Sequence, residues 1–138
     1  MKKPFYELVL SAADAEVLAL MLGERRRAHA LEAAAADALA DLLVEARKVP
    51  HHELPEDRVA MNSVVTYREE PDGALRSVAL VHPIESDPSR GRISVLSPIG
   101  LALLGRSRGA LVDAALPDER VMTIRVLETV RRPEALAA

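Results

Sequence analysis

A change of hydrophobic period near residue 58 constrains this chain more than any other feature. Residues 11–49 are rich in Ala and Leu with almost no strand signal, whereas beyond residue 58 Val, Ile and Thr recur in short runs broken by Gly, Pro and Asp. A helix groups residues three and four apart on one face, and a strand groups alternate residues. The two stretches therefore demand different secondary structure. The expected class is α+β, with residues 1–57 forming a short helical hairpin and linker and residues 58–138 a sheet domain. A length of 138 residues suits one modest core, or one domain with a small helical appendage.

In "SAADAEVLALML", Ser11 is placed to cap a first helix, with Asp14 at its third position. Val17, Leu18, Leu20 and Met21 supply its apolar side, and Gly23 is the expected stop. A second helix is expected over residues 28–48, where Leu31, Ala35, Ala38, Leu39, Leu42 and Ala46 form one stripe and Pro50 ends the pattern. Small alanines permit close packing, so the hairpin reads as a cover for the core or a dimer seam. In the linker "PHHELPEDR", His51 and His52 are adjacent and do not share a helical face. With only His29 and His82 besides, no metal site is expected.

Beyond the linker, "SVVTYREEPDGALRSVALVHP" reads as a hairpin turning at Pro71-Asp72-Gly73. "GRISVLSPIGLALLGRSRG" reads as a strand, a helix start at Ser97-Pro98, and a short apolar helix closed by Gly105. "ALVDAALP" and "VMTIRVLETV" supply two further strands around Asp118 and Glu119, the last with uneven alternation that suggests a bulge. The expected domain is a twisted antiparallel sheet with one short helix on a face.

Much chemistry is excluded. There is no Cys, which removes thiolate metal sites and thiol catalysis, and no glycine-rich nucleotide loop or nucleophile elbow. Net charge is -3 and aromatics are limited to Phe5, Tyr6 and Tyr67, a poor composition for binding DNA or RNA directly. No apolar run has membrane-spanning length and no signal-peptide pattern opens the chain, so a cytoplasmic location is expected. Glu85 and Asp87, two residues apart, are suited to a turn or to a partner's arginine; Arg106 and Arg108, just after the short helix, to a solvated rim or a protein contact.

"VAMNSVVTY" (59–67), "VALVHPIESDPSRGRISVLSPIGLALLG" (78–105) and "IRVLE" (124–128) together resemble the regulator of nucleoside diphosphate kinase family and the C-terminal domain of the bacterial Gre transcript-cleavage factors. The matching positions include Glu85, Asp87, Gly91, Ser97, Pro98, Gly100 and Gly105; Gly109-Ala110 and Pro117-Asp118-Glu119 depart from the family pattern. The resemblance implies an FKBP-like fold and contact with RNA polymerase near its secondary channel. In Gre factors the N-terminal half is a long coiled coil whose tip acids hold magnesium for transcript cleavage.

The hairpin connection here is "GERRRAH", where Arg25, Arg26 and Arg27 stand beside one acid, Glu24. Holding Mg²⁺ requires carboxylates, and three arginines repel the ion. A helix of some twenty residues also reaches only about 30 Å, short for a Gre-like arm. The expectation is a non-enzymatic, cofactor-free regulator that binds RNA polymerase without cleaving transcripts. Arg25, Arg26, Arg27, Glu85, Asp87, Arg106 and Arg108 are its candidate contacts. The alternatives are an FKBP-like peptidyl-prolyl isomerase, disfavoured because Tyr67 is the single aromatic after residue 58, and a weakly homodimerising module.

Overall fold

The computed structural model of the chain describes residues 8–116 and 119–131. Strand β1 (Val9–Ser11) leads into helix α1 (Ala12–Arg27), then helix α2 (Ala33–Glu45) and strand β2 (Arg47–Val49). The sheet domain follows as β3 (Ser63–Glu69), β4 (Leu75–Val81), β5 (Arg92–Ser94), helix α3 (Pro98–Leu103), β6 (Leu111–Ala115) and β7 (Val121–Arg131). The architecture is α+β, with two helices before a five-stranded sheet that carries one short helix.

Ser11 caps α1 as expected: its Oγ accepts the Asp14 N–H at 3.0 Å. The helix does not stop at Gly23. It continues to Arg27 and closes in a Schellman arrangement, where the N–H of His29 bonds to the Arg26 carbonyl and that of Ala30 to the Arg25 carbonyl. His29 takes the left-handed conformation (φ 52) usually assigned to glycine. The three arginines thus form the last helical turn, where the dipole favours cations, and not a loop. The second helix is correspondingly shorter than expected, Ala33–Glu45 in place of 28–48. Its buried stripe is Ala36, Leu39 and Leu42, while Ala38 is exposed. Leu20 of α1, expected on the apolar side, is 63% exposed, because Ala15, Leu18, Met21 and Leu22 are the residues turned inward.

Two strands appear where none was expected. β1 and β2 pair in parallel, Val9 opposite Arg47 and Ser11 opposite Val49, bracketing the two helices. A three-residue strand is too short to show a period, so its signal is invisible in sequence. β1 is also tied to the sheet domain. The Val9 N–H donates to the Gly105 carbonyl at 3.1 Å, and the Gly105 N–H to the Val59 carbonyl at 2.9 Å. Gly105 makes this junction at φ +80, a left-handed backbone conformation that favours glycine.

The main sheet has the order β5-β4-β3-β7-β6. It is mixed, and this corrects the antiparallel expectation: β4 and β5 run parallel, Leu80 opposite Ile93. Residues 82–91 include two 3₁₀ turns, Pro83–Glu85 and Pro88–Arg90, followed by Gly91 at φ +74; this detour returns the chain in the same direction. The remaining pairs are antiparallel. The bulge expected in the last strand is present: Thr66 faces Glu128 while Tyr67 faces Val126, leaving Leu127 as the extra residue. Of the turn expected around Asp118 and Glu119, Asp118 lies outside the described residues, and Glu119 takes φ 62.

One contiguous core joins both parts. Leu18, Leu39 and Leu42 of the helices belong to the same buried cluster as Val65, Leu80, Leu103, Ile124 and Val126. A polar clamp adds to it, since the carboxylate of Asp14 accepts the Met61 N–H at 3.0 Å.

Candidate interaction surfaces

The arm ends in Arg25, Arg26 and Arg27. Arg26 and Arg27 are exposed and Arg25 is half-buried. None of the three forms an ion pair among the described residues, and Arg27 lies back along the helix with a guanidinium nitrogen near Gly23. Three successive residues are each turned by about 100° on a helix, so their charges fan around its end and do not line one face.

Glu85 and Asp87 occupy the β4–β5 connection but differ in environment. Asp87 holds the loop together: its Oδ1 accepts the Ser89 hydroxyl at 2.7 Å, its Oδ2 lies 3.7 Å from Arg90 Nε, and its backbone pairs with Arg92. This is the turn role weighed for it. Glu85 is exposed beside Ile84, which is 85% exposed, on the lip of a groove between the start of α1 and the end of the sheet. His82, in the same groove, accepts the Ile84 N–H on Nδ1 at 3.4 Å.

Arg106 and Arg108 also separate. Arg106 lines a second cleft, between α2 and α3, where its Nε donates to the Ala102 carbonyl at 3.3 Å. Burial lowers its pKa from the ordinary arginine value, opposed by the nearby Glu45 charge and reinforced by Arg58. Arg108 is exposed, with Nε 3.9 Å from Glu128 Oε1. The seven candidate residues thus fall on an arm tip, a loop and the exit of α3, and do not converge on one point.

The α2–α3 cleft encloses about 770 Å³. Leu31, Leu42, Leu96 and Leu101 form its apolar surface, and Glu32, Asp41, Glu45 and Asp113 contribute acids. Sequence reasoning did not single these acids out. The available signal was that α2 carries Asp37, Asp41 and Glu45 at a spacing of four with no basic residue. At the start of α3, the Ser97 hydroxyl accepts the Gly100 N–H at 3.1 Å and donates to the Ser94 carbonyl at 2.7 Å, a structural cap. Tyr67 is 6% exposed and packed in the core, so it presents no aromatic surface to a proline. Among the described residues no group of three or more His, Cys, Asp or Glu side chains is placed to hold a metal, and no helix is long and apolar enough to cross a membrane.

A five-stranded sheet with a capped Ser-Pro helix, fronted by a short two-helix arm, is the architecture to be compared with known proteins. The family described as "Transcription elongation factor, GreA/GreB, C-term" matches residues 54–130. The "Regulator of nucleoside diphosphate kinase" of Escherichia coli (strain K12) is 34% identical over 128 residues, covering 93% of this chain and 92% of that protein. A solved structure titled "Prokaryotic transcription elongation factor GreA/GreB from Nitrosomonas europaea" superimposes with a TM-score of 0.73 at 32% identity, covering 90% of this chain and 99% of that one. The transcription elongation factor GreA of Desulfovibrio desulfuricans is 40% identical over 65 residues, covering 47% of this chain and 40% of that protein. The chain belongs to the family that unites the regulators of nucleoside diphosphate kinase with the GreA/GreB transcription factors.

Proposed function

We propose that this protein is a non-catalytic regulator that binds RNA polymerase near its secondary channel. Family membership supports the transcriptional role. The observation that carries the non-catalytic part is the arm tip, where α1 ends in Arg25, Arg26 and Arg27. Cleavage by the metal route needs carboxylates at this position to hold a divalent cation, and a triple positive charge opposes its approach. The arm is short as well: sixteen residues of α1 span about 24 Å at 1.5 Å per residue.

In this reading residues 1–57 act as the arm and residues 58–138, with an FKBP-like fold, as the docking module. Glu85 beside exposed Ile84, the Arg106–Arg108 exit of α3 and the arginine tip are the contact surfaces. The protein acts in the cytoplasm, where its partner is found.

Retention of core RNA polymerase on immobilised protein tests the reading, with the wild type compared to a variant in which Arg25, Arg26 and Arg27 are each changed to Glu. The wild type retains polymerase and the variant retains less. Failure of the wild type to retain any polymerase refutes the reading. Backtracked transcription complexes supplied with Mg²⁺ yield no cleavage product on addition of the protein; product formation overturns the tip argument.

A further inference from the structure

We infer that this chain pairs with a second copy of itself through the end of its helical arm, the Arg25–Arg27 turn of one copy seating against the acidic α2–α3 cleft of the other. The cleft carries Glu32, Asp41, Glu45 and Asp113 against a single base, Arg106. That base is spoken for: it is half-buried, its Nε bonded to the Ala102 carbonyl, with the Glu45 charge nearby. Asp113 accepts the Thr123 hydroxyl at 2.7 Å, a neutral partner that leaves its charge in place. The cleft is therefore an anionic rim around an apolar floor.

The tip is its complement. It carries three arginines and one acid, Glu24, and the arginines form no ion pair among the described residues. Leu20, 63% exposed, precedes Arg27 by seven residues and so lies two turns away on the same helical stripe, an exposed apolar residue further along the arm.

The placement of the two patches favours a second copy over other occupants. The cleft begins at Ala30, Leu31 and Glu32, three residues after the arginine turn ends, so the basic turn borders one end of the acidic cleft. A two-fold interface requires such a self-complementary surface, in which each patch of one protomer meets the other patch of its partner. Exposed ion pairs contribute little singly and are screened by salt, so the pairing is weak and salt-sensitive. This inference does not rest on the polymerase reading.

Sedimentation equilibrium of the full chain tests it, at about 0.1 M and about 1 M salt, between which the Debye length falls from about 10 Å to about 3 Å. At low salt the mass rises with concentration from 15.0 kDa toward twice that value, and at high salt the dissociation constant increases at least about tenfold. The pair Arg26→Glu with Arg27→Glu abolishes pairing, as does Glu32→Arg with Asp41→Arg. An equimolar mixture of the two variants restores it, because each altered tip then meets an oppositely altered cleft. Circular dichroism checks that both variants fold; should one fail, the neutral pairs Arg26→Gln with Arg27→Gln and Glu32→Gln with Asp41→Gln replace them, each expected to weaken pairing. A chain that stays at 15.0 kDa at every concentration overturns the inference. So does pairing that survives either charge reversal, or a mixture that stays monomeric.

Discussion

Gly100 is the position where the packing of the short helix on the sheet domain is most exposed to test. A Cβ built there lies 2.4 Å from the Ser94 carbonyl oxygen, 2.9 Å from Val95 Cα and 3.0 Å from Val95 C. All three are backbone atoms of the segment that leads into α3, so no side-chain rotation relieves the overlap. Alanine would otherwise favour the helix by about 1 kcal/mol over glycine. Overpacking a tight site costs about 1–3 kcal/mol, and a collision with three backbone atoms belongs in the upper part of that range. Gly100→Ala should therefore destabilise the protein by about 1–2 kcal/mol net, a fall of several degrees in melting temperature at about 4 °C per kcal/mol for a chain of this size. Gly23→Ala is the control. There the Cβ meets only a guanidinium nitrogen of Arg27, at 3.5 Å and on a flexible side chain, so the same change should stabilise by about 0.5–1 kcal/mol. Urea unfolding followed by circular dichroism reads both. A Gly100→Ala variant as stable as the wild type, or two variants shifting in the same direction, would refute the argument that α3 is held by backbone contact.

Other outcomes follow from the same physical account. Leu39 is fully buried where the helices meet the sheet core, so Leu39→Ala should cost about 2–5 kcal/mol in urea unfolding and lower a single transition shared by arm and sheet. Asp14→Ala leaves the Met61 N–H without its carboxylate and should cost about 1–3 kcal/mol, with faster amide exchange at Met61. Glu70 accepts from Arg68 at 3.1 Å and from Arg125 at 3.3 Å, and the Arg68 hydrogen bond is the main cause holding its pKa below the ordinary glutamate value. A depressed folded-state value means stabilisation that is present above the unfolded-state pKa and lost as pH falls through the folded one. The stability of Glu70→Gln should accordingly fall less than that of the wild type on acidification from neutral pH; identical acid profiles would contradict it.

Local patterns reached the sequence reader where a residue acts on its near neighbours. Ser11 and Ser97 cap the helices that their positions implied, and the interrupted alternation around Leu127 is the bulge. The resemblance carried in "ISVLSPIGLALLG" corresponds to the family match over residues 54–130. The end of α1 leaves no mark in the sequence because its stop is a left-handed histidine, His29, and a non-glycine residue gives no such signal. Of the surfaces, the arginine tip was legible as a run of charge. The acidic cleft was not, because its acids come from α2, its N-cap Glu32 and β6, with Asp41 and Asp113 more than seventy residues apart.

The sequence by itself determined the α+β division, the identities of the helices and long strands, and the arginine-for-carboxylate exchange at the arm tip. These depend on period, capping and charge, which act within a few residues. Only the tertiary structure decided the parallel pairing of β1 with β2 and of β4 with β5, the joining of arm and sheet in one core, and the meeting of α2 with α3 around an acidic cleft. Strand pairing and burial are settled by which distant surfaces exclude water together, and Gly105, bonded at once to Val9 and Val59, shows how one residue joins segments that no local pattern connects.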